Sequence, residues 1–182
     1  MDKRTGILAS AARTFETQGL RGVGIDQVLA PSGASTRTLY KHFGSRDGLV
    51  MAVLEDRHQQ FMAQLASERA DGGAIASLFD MLAHWVNARG ASGCMLLRAR
   101  SEYAQANEAI VALVQQQKAQ FHAEIAARVH TDLGREEAAL ALQVWLLFEG
   151  ATAAATVAGT AVIEAAKQAA LTLMACAKAA RS

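Results

Sequence analysis

Apolar residues recur three and four positions apart along most of the chain, and no stretch alternates apolar and polar residues over the length of a strand. This period predicts α-helices throughout, so we expect an all-α protein. Glycine-containing breaks divide the pattern into about nine helices. The predicted helices cover residues 2–18, 25–30, 35–43, a long helix from 45 past 65, 74–88, 94–106, 108–129, 135–157 and 161–180.

Two short helices on either side of residues 32–35 form a predicted helix-turn-helix, with Gly33 where the chain reverses. In the second of these helices, Leu39 and Phe43 lie four residues apart and point inward. The outward face holds Thr36, Arg37, Tyr40 and Lys41. Arginine can bond guanine edges or phosphate, and hydroxyl and lysine side chains can bond the DNA backbone. This pattern favours DNA binding, although an exposed helix with a cationic face and no DNA function has the same spacing.

The distribution of charge supports a polyanionic partner for the first quarter of the chain. Residues 1–50 carry seven Lys or Arg against four acidic residues, a net charge of +3, whereas the remainder carries eleven against thirteen, a net charge of −2. The 182 residues are 52% hydrophobic and 19% charged, as in a folded domain. We see neither a secretory signal nor an uncharged run of membrane-spanning length, and two cysteines form no disulfide framework. We therefore expect free thiols and a cytoplasmic protein.

Five short motifs occur through the first fifty residues: 15–20 (FETQGL), 25–29 (IDQVL), 33–35 (GAS), 38–43 (TLYKHF) and 45–49 (SRDGL). In this combination they resemble the N-terminal domain of the TetR family of transcriptional regulators. It implies a helix-turn-helix DNA-binding domain over residues 1–47, followed by a ligand-binding and dimerisation domain over residues 48–182. The family's DNA contacts map onto Thr36, Arg37, Thr38, Tyr40, Lys41 and His42, with Arg46 at the position of a basic phosphate contact.

The chain departs from the family pattern at three places. Gly24 stands where a threonine or serine often caps the second helix, so that contact is lost or moves to a backbone N–H. Pro31 and Ser32 replace residues that usually continue that helix toward the turn glycine. Arg37 adds a cation where a small residue or proline is common. The operator sequence therefore cannot be copied from relatives.

The C-terminal body contains an apolar and aromatic set of side chains that can line a pocket for a small ligand, or form plain core. The predicted apolar lining comprises Met81, Trp85, Met95, Phe121, Trp145 and Phe148. The candidates for orienting a ligand are His84, Arg98, Tyr103, His122 and Glu149. Glu149 interrupts an otherwise uncharged run and must be paired, exposed or protonated. Asp80 and His84 favour a hydrogen bond over a metal site, because no third ligand lies at a recognisable spacing.

The last two helices are rich in alanine and apolar all round, which predicts packing against a second subunit, or burial within the monomer. The body resembles one branch of the TetR family more weakly, through residues 93–97 (GCMLL) and 145–150 (WLLFEG). This resemblance implies that the last two helices, the eighth and ninth, form the dimer. Small residues here that would allow close helix approach are Ala151, Ala154, Ala155 and Ala158.

We therefore predict a homodimeric transcriptional regulator, a repressor that a small apolar or aromatic ligand releases from a palindromic operator. No catalytic motif, phosphate loop or dinucleotide fingerprint is visible, so we expect no enzyme, no cofactor and no metal. The alternatives are an all-α binding or adaptor module without DNA affinity, or a thiol-based redox sensor. Such a sensor would use Cys94 at the start of a predicted helix, although burial is the stronger interpretation of that residue. Cys176, among alanines, is predicted to lie in the core.

Overall fold

The structure is a computed structural model that describes residues 2–67 and 72–180. Within those ranges every regular element is helical, in agreement with the all-α prediction. The elements, in chain order, are α1 (Lys3–Gln18), α2 (Ile25–Leu29), a 3₁₀ turn (Ala30–Ser32), α3 (Thr36–Phe43), α4 (Arg46–Ser67), α5 (Ala74–Arg89), α6 (Met95–Glu102), α7 (Glu108–Leu133), α8 (Ala138–Ala158) and α9 (Ala161–Ala179).

The described helices differ from the predicted ones mainly at their ends. α6 ends at Glu102 because the amide N–H groups of Ala106 and Asn107 both donate to the carbonyl of Tyr103, which closes a turn before α7. The Asn107 side chain then accepts hydrogen bonds from the backbone N–H groups of Ala109 and Ile110, so it caps α7.

The chain divides into two compact units. Unit 1 comprises residues 1–61 and 95–117, and unit 2 comprises residues 62–94 and 118–182. The sequence boundary after residue 47 falls at the start of α4, whereas unit 1 also takes in most of α4, all of α6 and the first part of α7. α4 and α7 therefore each contribute residues to both units.

The core of unit 1 is built from the apolar faces of α1 to α4 together with α6 and the start of α7. Ile7, Ala11 and Phe15 on α1 are fully buried, as are Leu39 on α3 and Leu49 on α4. Burial of these side chains supplies the hydrophobic free energy that holds the short helices α2 and α3, which are below the length at which isolated helices are stable.

In unit 2, α9 packs against both α8 and α5. Gly73, at the capping position before α5, has no side chain to cap the helix, and the Asp132 carboxylate accepts the N–H groups of Ala74 (2.8 Å) and Ile75 (2.9 Å) instead. The buried guanidinium of Arg128 donates to the carbonyls of Ala74 (3.0 Å) and Leu65 (2.7 Å). These side chains of α7 therefore fix the start of α5.

Cys176 is exposed on α9, so the prediction that it lies in the core was wrong. The alanine-rich sequence around it gave no contrast between an inner and an outer face. Both cysteines are free thiols, and Cys94 is half-buried immediately before α6.

One helix of the described ranges, Ala138–Ala158, is long and apolar enough to cross a membrane by length and composition alone. A single such helix is weak evidence for a membrane span, since the core helix of a folded domain passes the same test.

Candidate nucleic-acid interface

The turn between α2 and α3 reverses the chain in a short space. The 3₁₀ turn follows α2 directly, with Pro31 inside it, and Gly33 then adopts φ 62° and ψ 15°, the left-handed region. Only glycine enters that region without steric cost, which explains the residue at this position. Ser32 donates its hydroxyl to the Leu29 carbonyl (2.7 Å) and accepts the N–H of Ala34 (3.3 Å), so the turn is held from both sides.

Both helices of this motif begin with a defined cap. At α2, the N–H of Gly24 donates to the side-chain oxygen of Gln27 (3.2 Å), which is the half of a capping box that a glycine can form. At α3, the hydroxyl of Ser35 accepts the N–H of Thr38 (3.2 Å) and lies 2.9 Å from the Thr38 hydroxyl oxygen. The serine therefore starts α3 where the sequence predicts it.

The residues of α3 divide by face as the spacing predicts. Leu39 is fully buried, whereas Tyr40 is 51% exposed although it is aromatic. Arg37 and Lys41 are exposed, and Thr36, Thr38 and His42 are half-buried. An exposed phenol between two cations gives α3 a surface with hydrogen-bond donors and no acidic residue. Such a surface suits the phosphates and base edges of DNA.

Arg46, predicted to contact phosphate, has its guanidinium engaged inside unit 1. It donates to the Val23 carbonyl (2.7 Å) and to the Tyr103 hydroxyl (3.2 Å), and it lies over the Phe15 ring at 5.8 Å. Burial raises the pKa of the Tyr103 phenol, and the charge of Arg46 opposes that rise. These contacts tie the start of α4 to the loop before α2 and to the turn after α6.

The residues of α6 that hold the α1–α2 connection were not found by sequence reasoning. The Glu102 carboxylate accepts the N–H groups of Leu20 (2.9 Å) and Arg21 (2.7 Å). Arg98, predicted to orient a ligand, donates to the carbonyl of Glu16 (2.8 Å) at the end of α1. No local signal in the sequence indicates these contacts, because about eighty residues separate the partners.

The predicted ligand residues are divided between the two units. Met95, Arg98 and Tyr103 lie in unit 1. Unit 2 holds Met81, His84, Trp85, Phe121, His122, Trp145, Phe148 and Glu149.

Within unit 2, three contacts join α7 to α8. The rings of Phe121 and Phe148 meet with centroids 4.8 Å apart, and those of His122 and Trp145 meet edge-on at 5.8 Å. The Glu149 carboxylate accepts from the Lys118 ammonium group at 2.5 Å. Of the three states expected for Glu149, namely paired, exposed or protonated, the structure shows the paired one. Its partner, Lys118, was not found by sequence reasoning.

The remaining predicted residues of unit 2 lie on α5. Met81 is fully buried and His84 is exposed. The Trp85 ring lies 4.0 Å below the guanidinium of Arg89. The Asp80 carboxylate accepts from Lys167 (2.6 Å), and no group of three or more metal-ligating side chains occurs in the ranges that the structure describes.

Comparison with known proteins gives one family. The model of the TetR family of bacterial regulatory proteins matches residues 7–53, from α1 into α4. The HTH-type transcriptional regulator LmrA of Bacillus subtilis is 33% identical over 66 residues, which are 36% of this chain and 35% of LmrA. The HTH-type transcriptional repressor NicS of Pseudomonas putida is 32% identical over 68 residues, 37% of this chain and 32% of NicS. The chain thus matches about a third of the length of these curated relatives.

Solved structures extend the likeness to nearly the whole chain. A TetR-family transcriptional regulator from Streptomyces coelicolor matches with a TM-score of 0.88 and 23% identity, over 97% of this chain and 96% of that one. A TetR-type regulator from Streptomyces avermitilis matches with a TM-score of 0.80 and 25% identity, over 97% and 98% of the two chains. Residues 7–53 thus match the TetR family model, and the fold of nearly the whole chain is similar to that of TetR-family regulators of known structure.

Proposed function

We propose that this protein regulates transcription by binding a palindromic operator as a homodimer, and that a small apolar or aromatic ligand releases it. The observation that carries the proposal is the exposed face of α3, where Arg37, Tyr40 and Lys41 present hydrogen-bond donors. This helix follows the Gly33 turn and lies within residues 7–53, which match the TetR family model. A repressor role is supported by the likeness to NicS, which is a repressor by name. Such a regulator works where the DNA is, in the cytoplasm.

On DNA, α3 is proposed to lie in the major groove. Arg37 reaches base edges or phosphate, Tyr40 and Lys41 hold the backbone, and the hydroxyls of Thr36 and Thr38 bond phosphate. His42 is half-buried at the end of the same helix and is proposed to contribute a further phosphate contact. The Arg46 guanidinium already donates to Val23 and to Tyr103, so we propose that Arg46 chiefly positions α3. It would contact phosphate only through N–H groups that these two residues do not engage.

The dimer is proposed to form through α8 and α9. Leu142 (46% exposed), Leu146 (56%) and Val157 (88%) leave an apolar surface on α8 that water solvates poorly. A groove between the two helices is lined by Gln143, Leu146, Leu147, Ala169, Thr172 and Leu173. Two copies related by a two-fold axis would bury this surface against itself and place two α3 helices on the half-sites of a palindrome.

Release by a ligand requires that the ligand bind one conformation of the dimer better than the other. We propose that it binds in unit 2 and that α4, which contributes residues to both units, carries the displacement to the DNA-binding helices. Moving the population from 99:1 to 1:99 takes about 5.5 kcal/mol of differential affinity. An adaptor without DNA affinity and a redox sensor through Cys94 are both disfavoured by the family match.

The test is to sequence the genomic DNA fragments that the purified protein retains, and then to measure affinity for the recovered site. Arg37→Ala should weaken binding by about 1 to 3 kcal/mol, because the lost side chain contacts a base or phosphate, while helicity by circular dichroism stays unchanged. Arg100→Ala, an exposed arginine on α6, is the matched control and should leave the affinity unchanged.

Affinity for the site should also fall steeply with salt concentration, because phosphate contacts release counterions. If no duplex is retained at low salt, the protein does not bind DNA and the proposal fails. If Arg37→Ala binds as tightly as the wild type, α3 is not the surface that reads the operator.

A further inference from the structure

Two pairs of side chains, one helical turn apart, connect α7 and α8 inside unit 2. Lys118 and His122 lie four residues apart on α7, and Trp145 and Glu149 lie four residues apart on α8, so each pair shares a helix face. Lys118 pairs with Glu149, and His122 meets Trp145 with ring planes at 89°.

The two pairs differ in how their polar atoms are satisfied. The ammonium group of Lys118 and the carboxylate of Glu149 bond each other. The indole Nε1 of Trp145 and the Nε2 of His122 are buried, and no atom of the residues that the structure describes bonds either of them. Buried polar atoms are rarely left in this state in folded proteins, because an unpaired donor loses its hydration without replacement. A group from outside the chain that bonds both nitrogens, water or part of a ligand, would satisfy this pair.

The chemistry of the two nitrogens restricts that group. An indole N–H is a donor only, so its partner must present an acceptor. The Nε2 of His122 is a donor in one tautomer and an acceptor in the other. A hydroxyl group satisfies both nitrogens in either case, because its oxygen accepts from Trp145 while it accepts from or donates to His122.

Aromatic side chains lie close to this pair along both helices. Phe121 precedes His122 in sequence, Phe148 lies one turn after Trp145, and the rings of these phenylalanines are in contact with each other and nearly buried. The aromatic residues along this α7–α8 contact favour an aromatic body for the ligand. Glu149 is the one charged residue within α8, and Lys118 compensates it, so the site presents no unbalanced charge to attract an ionic ligand.

We propose that unit 2 recognises an uncharged aromatic compound bearing a hydroxyl group, which bonds Trp145 Nε1 and His122 Nε2. The proposal rests on the proposed release by a small ligand and names the chemistry of that ligand. Trp145 supplies a hydrogen bond that selects for oxygen, and the phenylalanines supply affinity without selecting the polar group.

The test compares beta-naphthol, naphthalene and beta-naphthoate by calorimetric titration of the full chain without DNA. The wild type should bind beta-naphthol about tenfold or more tightly than naphthalene, which is about 1.4 kcal/mol, and should bind the anionic beta-naphthoate more weakly than beta-naphthol. In Trp145→Phe and in His122→Phe the ratio of the beta-naphthol affinity to the naphthalene affinity should fall toward one, while the naphthalene affinity changes little. A side chain that only shapes the site would change the affinities of beta-naphthol and naphthalene together.

Thr131→Val, an exposed change on α7, is the control and should keep the preference, and thermal melts verify that each variant folds. The proposal is overturned if the wild type binds none of the compounds, shows no preference for the hydroxyl, or keeps its preference in both variants; water would then satisfy the two nitrogens. Since no DNA is present, these outcomes are distinct from a failure to retain operator DNA, which would refute the proposed function alone.

Discussion

Tyr103, predicted to orient a ligand, bonds Arg46, which was predicted to contact phosphate. Its hydroxyl accepts from Arg46 and its ring lies beneath the guanidinium of Arg21 at 5.7 Å. Only 2% of the residue is exposed, and this burial raises the pKa of its phenol above the usual 10.0. The neutral phenol is therefore the form that the folded state stabilises.

The sign of this shift predicts the behaviour at alkaline pH. The unfolded chain ionises Tyr103 first, so the stabilisation is complete below about pH 10 and is lost as the pH rises through the folded pKa. We expect the free energy of unfolding of the wild type to fall more steeply above about pH 10 than that of Tyr103→Phe. Urea unfolding at a series of pH values measures both slopes, and equal slopes would contradict the prediction. In a Tyr40→Phe background the tyrosinate absorbance reports Tyr103 alone, since the chain has 2 tyrosines.

Among the helices, the start of α4 is constrained by its approach to the end of α3. Ser45 accepts the N–H of Gly48 (2.9 Å), which caps α4, and Asn107 donates to Asp47 (2.8 Å). A Cβ at Gly48 would lie 2.0 Å from the carbonyl oxygen of Phe43. The glycine is therefore required by a close backbone approach.

Gly48→Ala should destabilise the protein although alanine is the better helix former. The substitution gains about 1 kcal/mol of helix propensity, whereas relieving so short a contact with a backbone carbonyl costs about 2 to 3 kcal/mol, the upper end for overpacking. We expect a net loss in the free energy of unfolding, measured by urea denaturation, together with weaker DNA binding because α3 shifts. Gly6→Ala on α1 is the matched control, since its Cβ would meet nothing within 4 Å, and it should be neutral or stabilising. A stabilised Gly48→Ala would show that α3 and α4 are not held this closely.

For the whole molecule, the apolar residues left exposed on α8 are the feature that the monomer does not explain. Ala151 and Ala155 are buried within the monomer, whereas Ala154 is half-buried and Ala158 exposed. The small residues of α8 thus serve both the internal packing and the surface. The exposed leucines of α8 then supply the surface proposed for the dimer.

Leu146→Glu should separate the dimer, because an unpaired carboxylate would lose its hydration at the centre of the proposed interface. We expect the dissociation constant to rise at least about a hundredfold, or about 2.7 kcal/mol, in sedimentation equilibrium, with operator affinity falling in parallel. Leu97→Glu on α6 is the matched control, because Leu97 is 45% exposed, close to the exposure of Leu146. A wild type that is monomeric at micromolar concentration would refute the proposed assembly.

The sequence by itself determined the helices, the turn at Gly33, the start of α3 at Ser35 and the division of α3 into the buried Leu39 and the exposed Tyr40. These features follow from the helical period, from capping and from glycine's access to positive φ, which act within a few residues. Only the tertiary structure decided that Arg98 bonds the end of α1, that Lys118 pairs with Glu149 and that Cys176 is exposed. Those outcomes depend on how each helix is rotated against its neighbours, and partners 31 to 82 residues apart leave no periodic signal in the chain.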